Sequence, residues 1–132
     1  MTRIERLQQE VKLVEAQYGE LELGPNLEWF VIKRWKLVSG WNKAETKVLV
    51  VIPAGYAVTP PDNFYTDNDL RLAGRSQPGN TSADQNLIGR QWLQFSFHFV
   101  EPGDWQPHAD PLKGHNLLTF LQGVAKRLSE VS

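Results

Sequence analysis

Residues 90–100 have the sequence RQWLQFSFHFV, which is the clearest strand pattern in this chain of 132 residues. Apolar and polar side chains alternate along its central part: Leu93, Phe95, Phe97 and Phe99 on one side, Gln94, Ser96 and His98 on the other. A period of two is typical of a strand with one buried face. The segment therefore predicts a strand that turns its aromatic side to the core and carries Ser96 and His98 on the wetter side.

Further strands are predicted upstream of this one. Residues 27–38 and 46–52 are rich in β-branched and aromatic side chains, and the short connection between them favours antiparallel pairing. Residues 64–72 include a third, shorter candidate. Residues 74–89 are polar and contain several glycines, so we expect a long exposed loop there. Trp35 and Trp41 flank the first connection, where exposed rings would form a binding patch.

Two helices are predicted at the ends of this region. Ile4, Leu7, Val11 and Val14 follow one another at steps of three and four, which indicates an amphipathic helix. Thr2 and Glu5 have the spacing of a capping box, and Gly19 is placed to end the helix. Residues 115–128 have the spacing of a second, core-facing helix.

The order of these elements predicts an α+β fold, because strands and helices are segregated along the chain. We expect an N-terminal helix, an antiparallel meander sheet of three to four strands and a C-terminal helix, in a single domain over residues 1–132.

The composition excludes several classes of function. The chain has no cysteine, which rules out disulfides, thiolate metal sites and a thiol nucleophile. A net charge of −1 gives no field that would attract nucleic acid or a membrane surface. The longest apolar run, residues 48–52, is too short to span a bilayer, and the N-terminal residues have no signal-peptide pattern. We expect a cytoplasmic protein without a cofactor.

Two motifs carry a resemblance to a known family. The first is Pro53-Ala54-Gly55-Tyr56 followed by Pro60-Pro61, and the second is Trp105-Gln106-Pro107. They resemble the Pro-x-x-Tyr-Pro-x-x-Pro-Pro segment and the Trp-Ser-Pro of ubiquitin-conjugating enzymes, the E2 proteins. With the order of elements over residues 3–130, the chain is similar to that superfamily, and in particular to its divergent prokaryotic members that lack the cysteine (prokaryotic E2 family E).

The resemblance implies a ubiquitin-conjugating (UBC-like) fold, with a ubiquitin-like protein and its activating enzyme as partners. The chain departs from the family in three places. Ala57 stands where a proline often follows the tyrosine, the His-Pro-Asn motif is missing, and the cysteine would fall near Phe97. The thioester chemistry of the family therefore does not carry over.

The candidate catalytic residues lie at and after the position of the missing cysteine. Ser96 and His98 are its neighbours, and His108, Asp110 and His115 follow in the last third of the chain. Histidines concentrated in this way suit a general base, a nucleophile or a metal site, although their spacing matches no zinc signature. The alternative is that Ser96 is an ordinary strand serine and each histidine has a local structural role.

A second set of residues is expected to bind a partner or to stabilise the fold. It consists of Tyr56, Pro60 and Pro61 in the first motif and Trp105 and Pro107 in the second. Prolines stiffen a loop because they fix φ, and a tryptophan buries a large area against a sheet edge.

Three functions follow as hypotheses. The first is a cysteine-free E2-like protein of a prokaryotic ubiquitin-like modification pathway, which acts through a site near Ser96 and His98 if it is an enzyme. The second is a non-catalytic module on the same fold that binds a ubiquitin-like protein. The third is a small histidine-based hydrolase or metal protein on an unrelated α+β fold.

Overall fold

The computed structural model describes residues 1–99 and 104–132. This part of the chain forms two α-helices, a short 3₁₀ helix and six β-strands. In chain order they are α1 (Arg3–Tyr18), β1 (Leu21–Leu23), the 3₁₀ helix (Pro25–Leu27), β2 (Trp29–Lys36), β3 (Glu45–Val51), β4 (Asp62–Asp67), β5 (Thr81–Leu87), β6 (Arg90–His98) and α2 (Leu117–Ser129).

The strands form one antiparallel sheet in the order β1-β2-β3-β4-β6-β5. The α+β class with a helix at each end is confirmed, but the prediction of three to four strands is wrong. The meander is correct only as far as β4, because β6 returns to lie between β4 and β5. The strand predicted over residues 90–100 is β6, which ends at His98, and Val100 lies outside the described residues.

The two unpredicted strands are those at the edges of the sheet. β1 has three residues, which is too few for a period of two to be recognised. β5 lies within the predicted loop of residues 74–89, so that prediction is wrong over Thr81–Leu87. Its sequence, TSADQNL, is polar, which suits an edge strand, since such a strand has one neighbouring strand and much contact with water.

The main core lies between the helices and one face of the sheet. Leu93 and Phe95 of β6 are fully buried, and the Phe95 ring stacks on Phe64 of β4 with centroids 4.7 Å apart. Phe97 reaches α2, where its ring contacts Phe120 edge to face. The aromatic side of the predicted strand therefore faces the core.

Trp35 and Trp41 do not form an exposed patch. Each is 6% exposed, and the Trp41 indole N–H donates to the carbonyl of Leu128 at 2.9 Å. Tyr18 stacks on Trp35 with ring centroids 4.8 Å apart. The α1 and α2 ends cover both rings, a tertiary arrangement that is invisible in the local sequence around them.

The second face of the sheet has its own small cluster. Val31, Leu49 and Trp92 are buried there, and Leu87 at the end of β5 and Ile88 in the turn that follows pack against them. Arg90, just after this turn, is paired with Glu22 of β1 at 2.7 Å. The β5–β6 hairpin, whose first strand and turn lie in the predicted loop, therefore helps to cover this face of the sheet.

α1 begins and ends where its sequence predicts, whereas α2 (Leu117–Ser129) begins two residues later and ends one residue later than the predicted 115–128. Thr2 and Glu5 form the predicted capping box, and Gly19 is the C-cap of α1 with a φ of 86°. Asn116 caps α2 by accepting from the Thr119 amide at 3.0 Å. Among the described residues, no helix has the combined length and hydropathy that crossing a bilayer requires.

A buried carboxylate connects the helices to the proline-rich loop. Glu10 of α1 is 1% exposed and accepts three hydrogen bonds: from the Tyr56 hydroxyl at 2.5 Å, the Leu117 amide at 2.7 Å and Arg6 Nε at 2.7 Å. Leu117 is the first residue of α2, where a helix N-terminus favours negative charge. Burial raises the pKa of Tyr56 above its ordinary value, and the Glu10 carboxylate adds to that shift.

We predict that Glu10→Ala destabilises the fold by about 3–5 kcal/mol, because Tyr56, Arg6 and the Leu117 amide would all lose a buried acceptor. Glu10→Gln keeps an acceptor for Tyr56 and Leu117 and should cost less. Urea unfolding followed by tryptophan fluorescence measures both changes. Glu15→Ala, an exposed site on the same helix, is the control and should shift stability by less than about 0.5 kcal/mol. A Glu10→Ala cost as small as that of the control would contradict the role given to Glu10.

Candidate functional site

His98 lies at the end of β6, directly opposite Asp62 at the start of β4. The His98 Nδ1 and Asp62 Oδ1 atoms are 2.6 Å apart, and the two side chains are 76% and 61% exposed. An ionised carboxylate can only accept, so Nδ1 carries the proton and the neutral ring has its lone pair on Nε2. The pair therefore presents Nε2 to solvent as a base or a nucleophile.

Sequence reasoning did not find Asp62. It follows Pro60-Pro61 and is 36 positions from His98, and only the pairing of β4 with β6 brings the two together. The available signal was an acidic residue at the start of a neighbouring strand. That signal is ambiguous until the order and register of the strands are known.

Ser96 precedes His98 by two residues on β6. Both residues lie in the described part of the chain, and no hydrogen bond joins their side chains. The Ser96 amide donates to the carbonyl of Asn80 at 2.8 Å, which ties β6 to the segment before β5. A serine nucleophile needs its base within hydrogen-bonding reach. This geometry therefore gives no support to Ser96 as a nucleophile activated by His98.

His108 and His115 have the opposite hydrogen-bonding pattern. The Gln106 amide donates to His115 Nδ1 at 2.7 Å, and the Asp110 amide donates to His108 Nδ1 at 2.9 Å. Because a backbone N–H can only donate, both Nδ1 atoms are acceptors and the neutral rings carry their proton on Nε2. Of the three histidines, His98 is the one with a lone pair at Nε2.

His108, Asp110 and His115 belong to a loop that closes on itself. Pro107 and Gly114 form an isolated β-bridge, and the Asp110 carboxylate accepts from the Leu112 amide at 2.9 Å. A Cβ on Gly114 would lie 2.8 Å from a backbone oxygen, so only glycine fits at this crossing. The polar side chains are thus used to hold the loop.

Trp105 connects this loop to the proline-rich segment. It is 8% exposed, and its indole N–H donates to the carbonyl of Ala57 at 2.7 Å. Its ring contacts Tyr56 at 6.2 Å and His115 at 5.5 Å between centroids. Of the two prolines later in the first motif, Pro61 is buried and Pro60 is partly buried. The two sequence motifs therefore meet in one packed cluster.

Phe99 places this cluster next to the Asp62–His98 pair. It follows His98 in the chain, and its ring contacts Trp105 at 5.1 Å and His115 at 5.4 Å between centroids. The candidate residues thus form two adjoining sets, the Asp62–His98 pair and the loop with its aromatic cluster. Among residues 1–99 and 104–132, no three histidine, aspartate or glutamate side chains come close enough to hold a metal ion.

We predict different tautomers for the three histidines. With the rings neutral, His98 should be protonated at Nδ1, while His108 and His115 should be protonated at Nε2. Two-bond proton–nitrogen correlation spectra of the nitrogen-15-labelled protein distinguish the two forms. Asp62→Asn should weaken the preference of His98 for Nδ1 and leave His108 and His115 unchanged. The same tautomer at all three rings would contradict the assignment.

Comparison with known proteins adds a family to this geometry. No curated protein and no solved structure matched the chain. A family model described as prokaryotic E2 family E matches residues 7–130. The match extends over nearly the whole chain. It includes Glu10, the proline-rich motif, the tryptophan motif and the Asp62–His98 pair. We conclude that the chain belongs to prokaryotic E2 family E.

Proposed function

We propose that this protein acts in a prokaryotic ubiquitin-like modification pathway, and that His98 carries the acyl group in place of the absent cysteine. Its partners would be a ubiquitin-like protein and the enzyme that activates it. Membership of the family supports the pathway. The observation that carries the choice of residue is the 2.6 Å contact between Asp62 and His98 Nδ1 on an exposed side chain, because a neutral ring that donates from Nδ1 has its lone pair on Nε2.

The proposed first step is attack of His98 Nε2 on the activated C-terminal carbonyl carbon of the modifier. A nitrogen–carbon bond forms, and the bond to the activating group breaks, so that this group leaves with the electron pair. The ring becomes an acyl-imidazolium whose positive charge is offset by the Asp62 carboxylate on Nδ1.

The second step releases the acyl group to a target. A target amine attacks the same carbonyl carbon, an amide bond forms and the bond to Nε2 breaks. The attacking amine loses one proton to solvent, and His98 returns to its neutral form with its own proton still on Nδ1. An acyl-imidazole reacts readily with amines and with water, so the intermediate would be short-lived.

Asp62 has a positioning role in this scheme. It orients the ring, selects the tautomer and stabilises the charge that develops. The aspartate of a Ser-His-Asp triad acts on its histidine in the same way. His108 and His115 are poor substitutes, because their Nε2 atoms are protonated when the rings are neutral.

A second candidate function is a non-catalytic module that binds a ubiquitin-like protein. The exposure of both His98 and Asp62 favours it, because catalytic electrostatics are strongest where water is excluded. The absence of cysteine points in the same direction. The third hypothesis, a histidine-based hydrolase or metal protein on an unrelated α+β fold, has less support, because the E2 family match extends over residues 7–130.

We predict that the purified chain, mixed with the activating enzyme, ATP and the modifier, forms an adduct that hydroxylamine cleaves. His98→Ala should abolish the adduct, and Asp62→Asn should lower its rate of formation roughly tenfold or more, because the ring loses its fixed tautomer. Mass spectrometry of rapidly quenched samples measures both effects. His108→Ala is the matched control and should form the adduct at the wild-type level.

Two results would contradict this assignment. An adduct that persists in His98→Ala and disappears in Ser96→Ala would move the acyl group to the serine oxygen. A wild-type chain that forms no adduct, yet binds the modifier with micromolar affinity by titration, would select the binding module.

A further inference from the structure

The Asp62–His98 pair depends on a one-residue shift in the register of two strands. Phe64 pairs with Phe95, and the same register holds along the rest of β4. Before Phe64 it shifts by one residue, so that Asp62 faces His98. In the unshifted register His98 would face Pro61, which has no carboxylate. The shift therefore decides whether the histidine meets an acid.

Asn63 is the residue at which the shift occurs. On β4 it lies alone between the paired residues, while Ser96 and Phe97 both lie opposite it on β6, which is the arrangement of a β-bulge. Its φ is 62°, in the left-handed region that asparagine tolerates better than most residues. Its side-chain oxygen accepts from the Phe97 amide at 3.0 Å.

The two amides of β6 at the bulge both have acceptors, one before β5 and one on β4. The Ser96 amide is bound by the backbone carbonyl of Asn80, and the Phe97 amide is bound by the side chain of Asn63. An extra residue in a ladder normally leaves an amide without a partner, which is costly when it is shielded from water. The Asn63 side chain takes the place of the missing backbone acceptor.

We propose that Asn63 is a positioning residue for His98. It supplies the left-handed backbone that lets β4 pass the bulge and the acceptor that holds Phe97, and together these keep Asp62 opposite the His98 ring. The inference rests on the function proposed for His98, but the geometry it describes can be tested without any partner protein.

The test separates the two contributions of Asn63 with three variants. Asn63→Gly keeps the positive φ and removes the acceptor, Asn63→Asp keeps both, and Asn63→Ala removes both. Asn80→Gly is the matched control. That residue is also asparagine with a positive φ, 56°, on the other side of the bulge, and it binds Ser96 through its backbone.

Two readouts on the isolated chain decide the outcome. In Asn63→Gly, hydrogen exchange of the Phe97 amide should accelerate about tenfold or more, and the neutral His98 ring should shift from Nδ1–H towards Nε2–H. Asn63→Ala should do the same or more. Asn63→Asp and Asn80→Gly should keep the wild-type tautomer and the wild-type exchange rate at Phe97.

Three results would overturn the proposal. The first is a wild-type His98 tautomer in Asn63→Gly. The second is loss of that tautomer in a folded Asn63→Asp. The third is exchange that accelerates equally at Phe97 and throughout α2, which would assign Asn63 a role in global stability alone.

The adduct assay distinguishes this inference from the proposed function. If the wild-type chain forms the adduct, Asn63→Gly should form it about tenfold more slowly and Asn63→Asp should recover most of the rate. If the wild-type chain forms none, the proposed function fails, and the tautomer and exchange measurements still decide whether Asn63 positions the pair.

Discussion

The Glu10 carboxylate is the contact on which the arrangement of the molecule depends. A buried negative charge is tolerated only when donors surround it, and here the donors come from three separate parts of the chain: α1, the proline-rich loop and the first residue of α2. One carboxylate therefore fixes where α2 begins and where the Tyr56 loop lies. Trp105 packs on that loop, so the position of the second sequence motif follows from the first.

The three histidines show that hydrogen bonding, more than residue type, assigns a chemical role. His108 and His115 accept backbone amides and help to close a loop, whereas His98 donates to a carboxylate and turns a lone pair to solvent. The candidate site is thus one pair where β4 begins and β6 ends, next to an aromatic cluster. His98 is the neighbour of Phe97, near which the family resemblance places the cysteine.

Part of this could be predicted from the sequence because the signals are local. The capping box at Thr2 and Glu5, the stop at Gly19 and the alternation around Phe95 each lie within a few residues. The errors have a common cause. The polar sequence of β5 predicts a loop because an edge strand needs no apolar alternation. The sequence around Trp35 and Trp41 gives no sign that they are buried, because the helices that cover them are distant in sequence.

The sequence by itself determined the helices at the two ends, the aromatic strand between them, membership of an E2 family and, through the absence of cysteine, the loss of its thioester. Only the tertiary structure decided which groups meet. Asp62 reaches His98 because β4 and β6 pair with a one-residue shift at Asn63, and the proton positions on the histidines follow from such contacts. Register between strands depends on how two distant segments pack together, and the one-residue shift between β4 and β6 cannot be seen in either segment alone.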